Sequence, residues 1–340
     1  MRCGLAQGFS QDPQWRTLAR PSTYSALGSA VHRLCERALR GRLVDSTAQD
    51  LDAAVSAQWA SLVEEAYSEL AKAWKPANVP SPASWPNFQL VSIRARRRAA
   101  SLATAAHGDA PAPVVAAGGA GSVEQELTDP ATGLRGTPDW VHESAGVIRV
   151  LDFKTGLNQT DASEDQRRQL LLYAHLVRVK TGRLPDVCAL VDGAGRERLV
   201  DFDDVAVDEA LSVAAAAVED YNRHISHGDL QQLARPSQQA CRWCPFRPIC
   251  LPYFESRQPD WVGAKGDVHG RVIDVEAAGR ALTLLAVYPV GLAGLDVRVK
   301  GLHDGASPVT GQPCSVVDAD LLGGPTAQSL RWDSRLVVLG

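Results

Sequence analysis

The chain has 340 residues, 45% of them hydrophobic and 22% charged, which is close to the averages of soluble globular proteins. This composition excludes a collagen-like or wholly disordered chain, and the length is sufficient for two domains. The net charge of −4 gives no general signal for nucleic acid, but residues 1–120 carry 13 basic and 9 acidic side chains, against 15 and 22 in residues 121–260. Such asymmetry can indicate a polyanion track beside a metal-binding carboxylate site, but charge alone favours ordinary surface variation.

Signals for export and membrane insertion are missing from this sequence. No apolar run reaches the roughly 18 residues that suggest a membrane span. The first thirty residues lack the basic and apolar regions of a secretory signal. We therefore expect a cytoplasmic protein with no membrane partner and with its seven cysteines reduced. Clustered cysteines in such a chain indicate metal binding or catalysis.

The first third of the chain is predicted to be helical. Proline and hydroxyl residues precede a run with helical spacing over residues 24–39, which stops before Gly41. Two further helices are predicted over residues 48–74 and 87–106, and a flexible connection rich in Ala, Gly and Pro over residues 107–121. The third helix contains a basic run of four arginines, Arg94, Arg96, Arg97 and Arg98.

The middle of the chain is predicted to contain both strands and helices. In chain order these are strands at residues 122–128, 133–143 and 147–153, a helix at 163–180, strands at 187–191 and 198–202, and a helix at 207–227. This order of elements predicts an α/β fold in which helices flank a mixed central sheet.

After residue 258 the composition shifts towards Val, Leu and Gly. Five strand-like runs are predicted there, at residues 268–275, 281–287, 295–299, 315–318 and 335–339. Five strands in about 80 residues predict a small β-barrel, with the oligonucleotide-binding type as one form and other small barrels as alternatives. We therefore expect a first domain at residues 1–258, with a helical insertion at about 44–120, and a barrel domain at 259–340.

The strongest local motif is the cysteine cluster Cys241-x-x-Cys244-x5-Cys250. Three thiols at this spacing can bind one metal, and the prolines among them predict a stiff loop instead of a helix. One ligand remains to be found for a tetrahedral zinc or a cuboidal iron–sulfur cluster. Cys3 lies outside the predicted helices and is the first candidate. Cys35 is the second, because a thiol on a helix is ordinarily a small buried hydrophobe.

A second constellation is acidic. Asp139 lies near the end of one predicted strand, while Asp152 and Lys154 lie on the next, where strand alternation puts them on one face. Hydrolysis of a phosphodiester needs such a set, because carboxylates hold a divalent metal and an ammonium orients water and offsets developing charge. A salt bridge on a strand face has the same pattern, so the neighbouring residues decide between the two interpretations.

Four neighbours extend the acidic group. Gln169 and Tyr173 are four residues apart on the next helix and therefore share a face. His32, on the first helix, is available as an imidazole ligand. Glu126 is available as a third acid from the preceding strand.

Four motifs then occur in order, G-x-x-x-H (Gly28–His32), G-x-x-D (Gly136–Asp139), D-x-K-T-G (Asp152–Gly156) and Q-x-x-x-Y (Gln169–Tyr173). Together they resemble the RecB-type branch of the PD-(D/E)XK nuclease superfamily, over roughly residues 1–255. The C-x-x-C-x5-C motif with one cysteine far upstream is similar to the iron–sulfur subgroup of that branch. The subgroup includes the CRISPR-associated four-cysteine exonucleases and the AddB nuclease domain.

This resemblance implies a restriction-endonuclease-like core and a Mg²⁺- or Mn²⁺-dependent deoxyribonuclease. Its metal ligands correspond to His32, Asp139, Asp152 and the backbone carbonyl of Phe153. Its catalytic lysine corresponds to Lys154, with Gln169 and Tyr173 positioning substrate or water.

The resemblance also implies a cofactor, a [4Fe-4S] cluster that fastens the two ends of the nuclease core together. Its ligands correspond to Cys3, Cys241, Cys244 and Cys250. In the subgroup the first cysteine precedes the core, an order that Cys3 matches and that Cys35, which follows His32, does not.

The predicted activity is that of an exonuclease on single-stranded DNA ends, in DNA repair, recombination or defence. No G-x-x-x-x-G-K-[ST] phosphate loop is present, so a helicase or recombination partner is expected to supply single strands. The basic run and the C-terminal barrel are candidates for tracking the strand. Because the barrel contains few aromatic residues, protein docking is an equal alternative for it. The alternatives are a non-enzymatic nucleic-acid-binding or scaffold protein on a nuclease-like fold, and a structure-specific endonuclease. Joint presence of Asp139, Asp152 and Lys154 favours an enzyme over the first of these.

Overall fold

A computed structural model describes residues 3–43, 48–75, 79–107, 121–154, 162–258, 260–261, 266–276, 280–302 and 308–339. Most of the predicted flexible connection, residues 108–120, lies outside these ranges, as do Thr155 and Gly156 of the D-x-K-T-G motif. None of the described helices is both long and apolar enough to cross a membrane.

The chain divides into two compact units. The first, here called the cysteine unit, consists of Met1–Ser22, Leu70–Val79 and Asp220–Gly340. The second, here called the carboxylate unit, consists of Thr23–Glu69 and Pro80–Glu219. The domain boundary expected near residue 258 falls inside the cysteine unit, so that boundary stays a prediction.

The long helices have nearly the predicted bounds. In chain order the α-helices are α1 (Gly4–Gln11), α2 (Thr23–Leu39), α3 (Ala48–Ala73), α4 (Phe88–His107), α5 (Glu164–Thr181), α6 (Asp204–His227), α7 (Gln238–Cys241) and α8 (Leu251–Ser256). A capping box of Ser163 and Gln166 starts α5, and Gly182, with φ +82°, ends it in the left-handed conformation that favours glycine. Helices α1, α7 and α8 are not predicted, because eight residues or fewer show too little periodicity.

The cysteine segment contains helix, so the stiff loop predicted for it is wrong in part. Helix α7 ends at Cys241, and α8 begins directly after Cys250. Pro252 lies in the first turn of α8, where its missing N–H removes no intrahelical hydrogen bond. Proline is disfavoured in the interior of a helix but tolerated in its first turn. The prolines of this segment therefore allow the short helices that the sequence analysis did not predict.

A five-stranded mixed sheet forms the centre of the carboxylate unit, as predicted. Its strands are β1 (Gly121–Val123), β4 (Trp140–Ser144), β5 (Val147–Phe153), β6 (Val187–Val191) and β7 (Glu197–Leu199), in the order β1-β4-β5-β6-β7. Strands β5 and β6 are parallel, with α5 between them in sequence, and the other neighbouring pairs are antiparallel. Buried side chains of α5, including Leu170 and Ala174, form one core with Val150 of β5 and Leu190 of β6.

Two of the predicted strands are interrupted. The run at residues 122–128 becomes β1 and β2 (Leu127–Thr128), and the run at 133–143 becomes β3 (Arg135–Gly136) and β4. Strand β2 pairs with β3 as a separate hairpin. Glu124, with φ +47°, ends the first run, and Pro138, which has no N–H for a ladder, lies in the gap of the second.

Seven strands form a second sheet in the cysteine unit. They are β8 (Val268–Val275), β9 (Ala281–Tyr288), β10 (Asp296–Lys300), β11 (Pro313–Val317), β12 (Asp320–Gly324), β13 (Ala327–Ser329) and β14 (Arg335–Val338), in the order β12-β13-β10-β9-β8-β11-β14. The five predicted strands are present. The β12–β13 hairpin is additional, because most of β12 is exposed and lacks apolar alternation. Pairings between described residues leave β12 and β14 at the two ends, so closure into a barrel stays a prediction.

Candidate active site and cysteine cavity

Three potential metal ligands meet in the carboxylate unit, from α2, from the turn after β1 and from the segment before β4. They are His32, Glu124 and Asp139, and their ligand atoms all lie within 4.8 Å of one another. His32 Nδ1 is 3.1 Å from Asp139 Oδ1. Two carboxylates and an imidazole are donors that divalent cations accept, so this set fits a divalent metal ion.

The third ligand of this group is Glu124, whereas the sequence analysis expected Glu126 as the additional acid. In a continuous strand the two acids would share a face, but the left-handed conformation of Glu124 ends β1 there. The Glu124 N–H donates to the backbone oxygen of Asp139 at 3.1 Å, whereas Glu126 is exposed. The sequence signal for Glu124 is only its acidity, because nothing in the motif pattern fixes a positive φ at this residue.

Asp152 lies on β5 and pairs with Lys154 through Oδ2. Asp152 is 4% exposed, and burial raises the pKa of its carboxyl, with the Lys154 ammonium opposing the rise and Asp139 adding to it. Asp152 is not one of the three grouped ligands, so its role as a ligand stays a prediction. The Asp139 carboxylate accepts a hydrogen bond from the Phe153 N–H, which ties it to β5.

Crowded negative charge changes the titration of this site. Burial opposes protonation of His32, but the hydrogen bond and charge of Asp139 outweigh it and raise the His32 pKa. Burial raises the pKa of Glu124 as well, and the charges of Glu36 and Asp139 raise it further. A divalent cation would neutralise this repulsion, which is further reason to regard the group as a cation site.

A chain of hydrogen bonds fixes the Lys154 ammonium. Lys154 Nζ donates to Gln169 Oε1 at 3.2 Å, and Gln169 Nε2 donates to the Tyr173 hydroxyl at 2.9 Å. The Tyr173 hydroxyl donates to the Thr137 carbonyl at 3.2 Å. The predicted shared face of Gln169 and Tyr173 is therefore present, and it points the amide at the lysine.

Gly136 explains why α5 can approach so closely. A Cβ added at this residue would lie 2.8 Å from Tyr173 Cε1 and 2.9 Å from Leu176 Cδ1. Real Cβ atoms essentially never come so close, so any side chain at residue 136 would displace Tyr173. The glycine of the G-x-x-D motif therefore has a packing reason.

A buried polar cluster holds α5 against the β2–β3 hairpin and was not predicted. His175 Nε2 lies 2.9 Å from Asp129 Oδ2, and His175 Nδ1 lies 3.2 Å from a nitrogen of the Arg178 guanidinium. Hydrogen bonds from the Thr132 hydroxyl, His175 and a backbone amide lower the pKa of Asp129 to about 2. The cluster anchors the helix that presents Gln169 and Tyr173.

The four arginines of α4 do not form one exposed track. Arg98 is 8% exposed, and its guanidinium carbon lies 4.2 Å from the centre of the Phe153 ring. The helix turns this side chain into the protein interior, so it is unavailable for the nucleic-acid contact predicted for it. Arg94 and Arg96 are half-buried and Arg97 is exposed, and for these three the contact stays a prediction.

The four cysteines predicted for the cluster line a single cavity in the cysteine unit. Cys3 precedes α1, Cys241 ends α7, Cys244 lies in the turn that follows, and Cys250 precedes α8. Cys35 is not among the lining residues. It is fully buried in the core contributed by α2, and burial raises its pKa to about 11.

Helix α1 brings Cys3 to this cavity. A Cβ on Gly4 would lie 3.1 Å from Leu233 Cβ, and one on Gly8 would lie 3.4 Å from a Leu230 methyl group, so the two glycines allow close packing. The Cys3 thiol donates to the Leu233 carbonyl at 3.7 Å and accepts from the Arg235 N–H at 3.4 Å. The spacing of Gly4 and Gly8 is the sequence signal for this contact.

Burial shifts the titration of the three clustered thiols. Burial raises the pKa of Cys241 and Cys244, and that of Cys250 to about 12. Backbone hydrogen bonds from Phe246 to Cys244 and from Tyr253 to Cys250 oppose this rise. Such donors favour the thiolate, which is the form that binds a metal.

A mixed sheet flanked by helices, with His32, Asp139, Asp152 and Lys154 converging beside β5, is the arrangement of the restriction-endonuclease-like fold. Residues 3–251 match the family model of the PD-(D/E)XK nuclease superfamily, and the chain belongs to that superfamily. The predicted superfamily and fold class are therefore confirmed, and membership implies nuclease-type hydrolase activity. No curated protein matches the chain.

Proposed function

We propose that this protein is a metal-dependent deoxyribonuclease of the RecB-type branch that digests single-stranded DNA from its ends. The supporting observation is the convergence of His32, Glu124 and Asp139 beside the Asp152–Lys154 pair. The group of three ligands and the Asp152–Lys154 pair are each unremarkable alone, because clustered surface acids and salt bridges on strands are common. A cation site next to a buried carboxylate–lysine pair is what phosphodiester hydrolysis needs.

In this proposal, one set of side chains binds the metal ion and Lys154 orients the attacking water. His32, Glu124 and Asp139 would hold Mg²⁺ or Mn²⁺, with Asp152 and the Phe153 carbonyl as the further ligands that the resemblance implies. When bound, a divalent cation polarises the phosphate and lowers the pKa of a bound water. Lys154, held by Asp152 and Gln169, orients the attacking water and offsets the negative charge that develops on the phosphate.

The substrate proposal concerns single-stranded ends, in DNA repair, recombination or defence, with a helicase or recombination protein as the partner that supplies them. Arg97, which is exposed, and the half-buried Arg94 and Arg96 remain candidates for phosphate contacts. A cytoplasmic location is part of this proposal.

Digestion of labelled single-stranded DNA tests the proposal directly. We expect the wild-type protein to shorten linear oligonucleotides in Mg²⁺ or Mn²⁺ and to lose this activity in EDTA. Asp152→Asn is expected to be inactive, whereas Glu209→Gln, which changes an exposed acid on α6, should be unaffected. Wild-type cleavage no faster than that of Asp152→Asn contradicts the proposal.

Blocked and circular substrates separate the modes of cleavage. Oligonucleotides blocked at the 5′ or the 3′ end identify the polarity of an exonuclease. Cleavage of a circular single strand, which has no end, contradicts the exonuclease proposal and favours the structure-specific endonuclease.

We further propose that the cysteine cavity holds a [4Fe-4S] cluster. Zn–S bonds of about 2.3 Å put the sulfurs of a zinc site about 3.8 Å apart. Among the described residues no three cysteine sulfurs lie within 4.8 Å of one another. A wider spacing suits a cuboidal cluster better than a single zinc ion.

Two serine variants test the ligand assignment. Anaerobically purified wild-type protein is expected to be brown and to contain about four iron and four sulfide per chain. Cys3→Ser is expected to lose most of this iron, because Cys3 lines the cavity. Cys35→Ser is the matched control and should retain it. Iron lost from Cys35→Ser but not from Cys3→Ser, or stoichiometric zinc in the wild type, contradicts the proposal.

A further inference from the structure

Arg98 is a buried cation behind strand β5. It lies on α4, and only 8% of its surface is exposed. Within the described part of the chain, no carboxylate oxygen lies within 4.0 Å of its guanidinium nitrogens, so it has no ion-pair partner there. A buried cation without a carboxylate is costly, and its contacts therefore need an explanation.

Two contacts of the Arg98 guanidinium lead to the end of β5. Its carbon lies 4.2 Å from the centre of the Phe153 ring, which is a cation–π contact. Its Nη1 donates to the Asp192 carbonyl at 2.9 Å, directly after β6. Strand β6 pairs with β5 in parallel, with Val191 opposite Phe153. Arg98 therefore bridges the Phe153 side chain and the end of the neighbouring strand.

The backbone of Phe153 connects the acidic residues of the candidate active site. Its N–H donates to the Asp139 carboxylate, and it stands between Asp152 and Lys154. Strand alternation puts its ring on the face opposite to those two side chains. A contact that fixes the ring on one face therefore fixes the carboxylate and the ammonium on the other.

We propose that Arg98 is a positioning residue of the cation site. By stacking on Phe153 and bonding to the Asp192 carbonyl, it holds the end of β5 so that the Phe153 N–H meets Asp139 and the Asp152–Lys154 pair keeps its place. The helical insertion thus supports the active site from the face of β5 opposite to Asp152 and Lys154, in addition to any contact that it makes with DNA. This inference rests on the proposed function, since it concerns the cation site of that function.

Calorimetric titration of the protein with Mn²⁺, without DNA, tests the inference separately from cleavage. Arg98→Met removes the charge and the hydrogen bond at similar size, and we expect Mn²⁺ to bind it about 10–100-fold more weakly than the wild type. Arg98→Lys keeps the charge but not the planar stack, so part of the affinity should return. Arg97→Met is the matched control, an exposed arginine on the same helix, and should bind Mn²⁺ as the wild type does.

A second variant keeps the test valid if Arg98→Met does not fold. Phe153→Leu removes the ring but leaves the backbone, and it should weaken Mn²⁺ binding in the same way. In the double variant the two losses should be less than additive, because one contact is removed in both. Wild-type Mn²⁺ affinity in folded Arg98→Met or in Phe153→Leu overturns the inference. If the wild type binds Mn²⁺ but cleaves no DNA, the proposed function fails, while the inference is still decided by the affinities of the variants.

Discussion

Replacing Lys154 with alanine is expected to slow cleavage of single-stranded DNA by about 10²–10³-fold, the usual cost of removing one group that stabilises developing charge. The described contacts of the Lys154 ammonium are with Asp152, an anion, and Gln169, a neutral amide, and neither side chain can replace its positive charge. The loss should appear in kcat more than in KM, since this charge interacts with the phosphate mainly in the transition state. Single-turnover cleavage of a labelled oligonucleotide measures it.

Two further lysine variants make this prediction specific. Lys154→Arg should recover little activity, because a planar guanidinium cannot occupy the place of a compact ammonium between Asp152 and Gln169. Lys180→Ala is the matched control, because this exposed lysine near the end of α5 donates to Gln125 Oε1 at 2.8 Å and is not part of the candidate site. Equal loss in Lys180→Ala and Lys154→Ala, or full activity in Lys154→Ala, would contradict the assignment of Lys154.

Much of the carboxylate unit follows from local sequence patterns. Strand β5 is predicted with its observed bounds, and α5 within one residue, because apolar spacing and the Ser163 cap are both local signals. The same local pattern places Asp152 and Lys154 on one face. Motifs and periodicity thus predict the strand, the helix and the acid–lysine pair with little tertiary information.

What the sequence does not reveal depends on contacts between distant segments. Glu124 joins His32 and Asp139 only because a left-handed turn ends β1, and no local pattern distinguishes it from Glu126. Arg98 belongs to a basic run that resembles an exposed track, and its burial against Phe153 is decided by the rotation of α4. In both cases the charge of the side chain is visible in the sequence, whereas the backbone turn or helix rotation that places it is decided by the fold.

The C-terminal sheet and the cysteine segment are joined by an ionic network that the sequence does not predict. Arg247, between Cys244 and Cys250, is 4% exposed and lines the cysteine cavity. Its guanidinium donates to Asp267 at 3.0 Å and to both carboxylate oxygens of Asp318 at 2.6 and 2.7 Å. Those two aspartates flank strands of the second sheet, so the network makes the sheet part of the support of the cysteine segment.

Replacing Arg247 with methionine is therefore expected to lower the free energy of unfolding by about 3–5 kcal/mol, the usual cost of removing one partner from a buried ion pair. Asp267 would keep its hydrogen bonds from the Tyr253 hydroxyl and the Asp318 N–H but lose its salt bridge with Arg247, and Arg257 and Arg335 would be the cations left near it. Urea unfolding followed by tryptophan fluorescence measures the change. Arg242→Met, at an exposed arginine in the same segment, is the control and should change stability by at most about 0.5 kcal/mol.

The pH dependence of the Arg247→Met variant distinguishes lost charge from lost packing. Burial raises the pKa of Asp267, and Arg247 opposes that rise, so removing Arg247 should raise the pKa further. A carboxyl whose pKa is higher in the folded than in the unfolded state destabilises the fold at high pH, and protonation relieves this as the pH falls. The stability deficit of the variant relative to the wild type should therefore shrink as the pH is lowered from neutral towards the ordinary carboxyl pKa of about 4. A stability deficit that does not change with pH would mean that Arg247 acts through packing. If Arg247→Met and the wild type have the same free energy of unfolding throughout this range, the network does not support the cysteine segment.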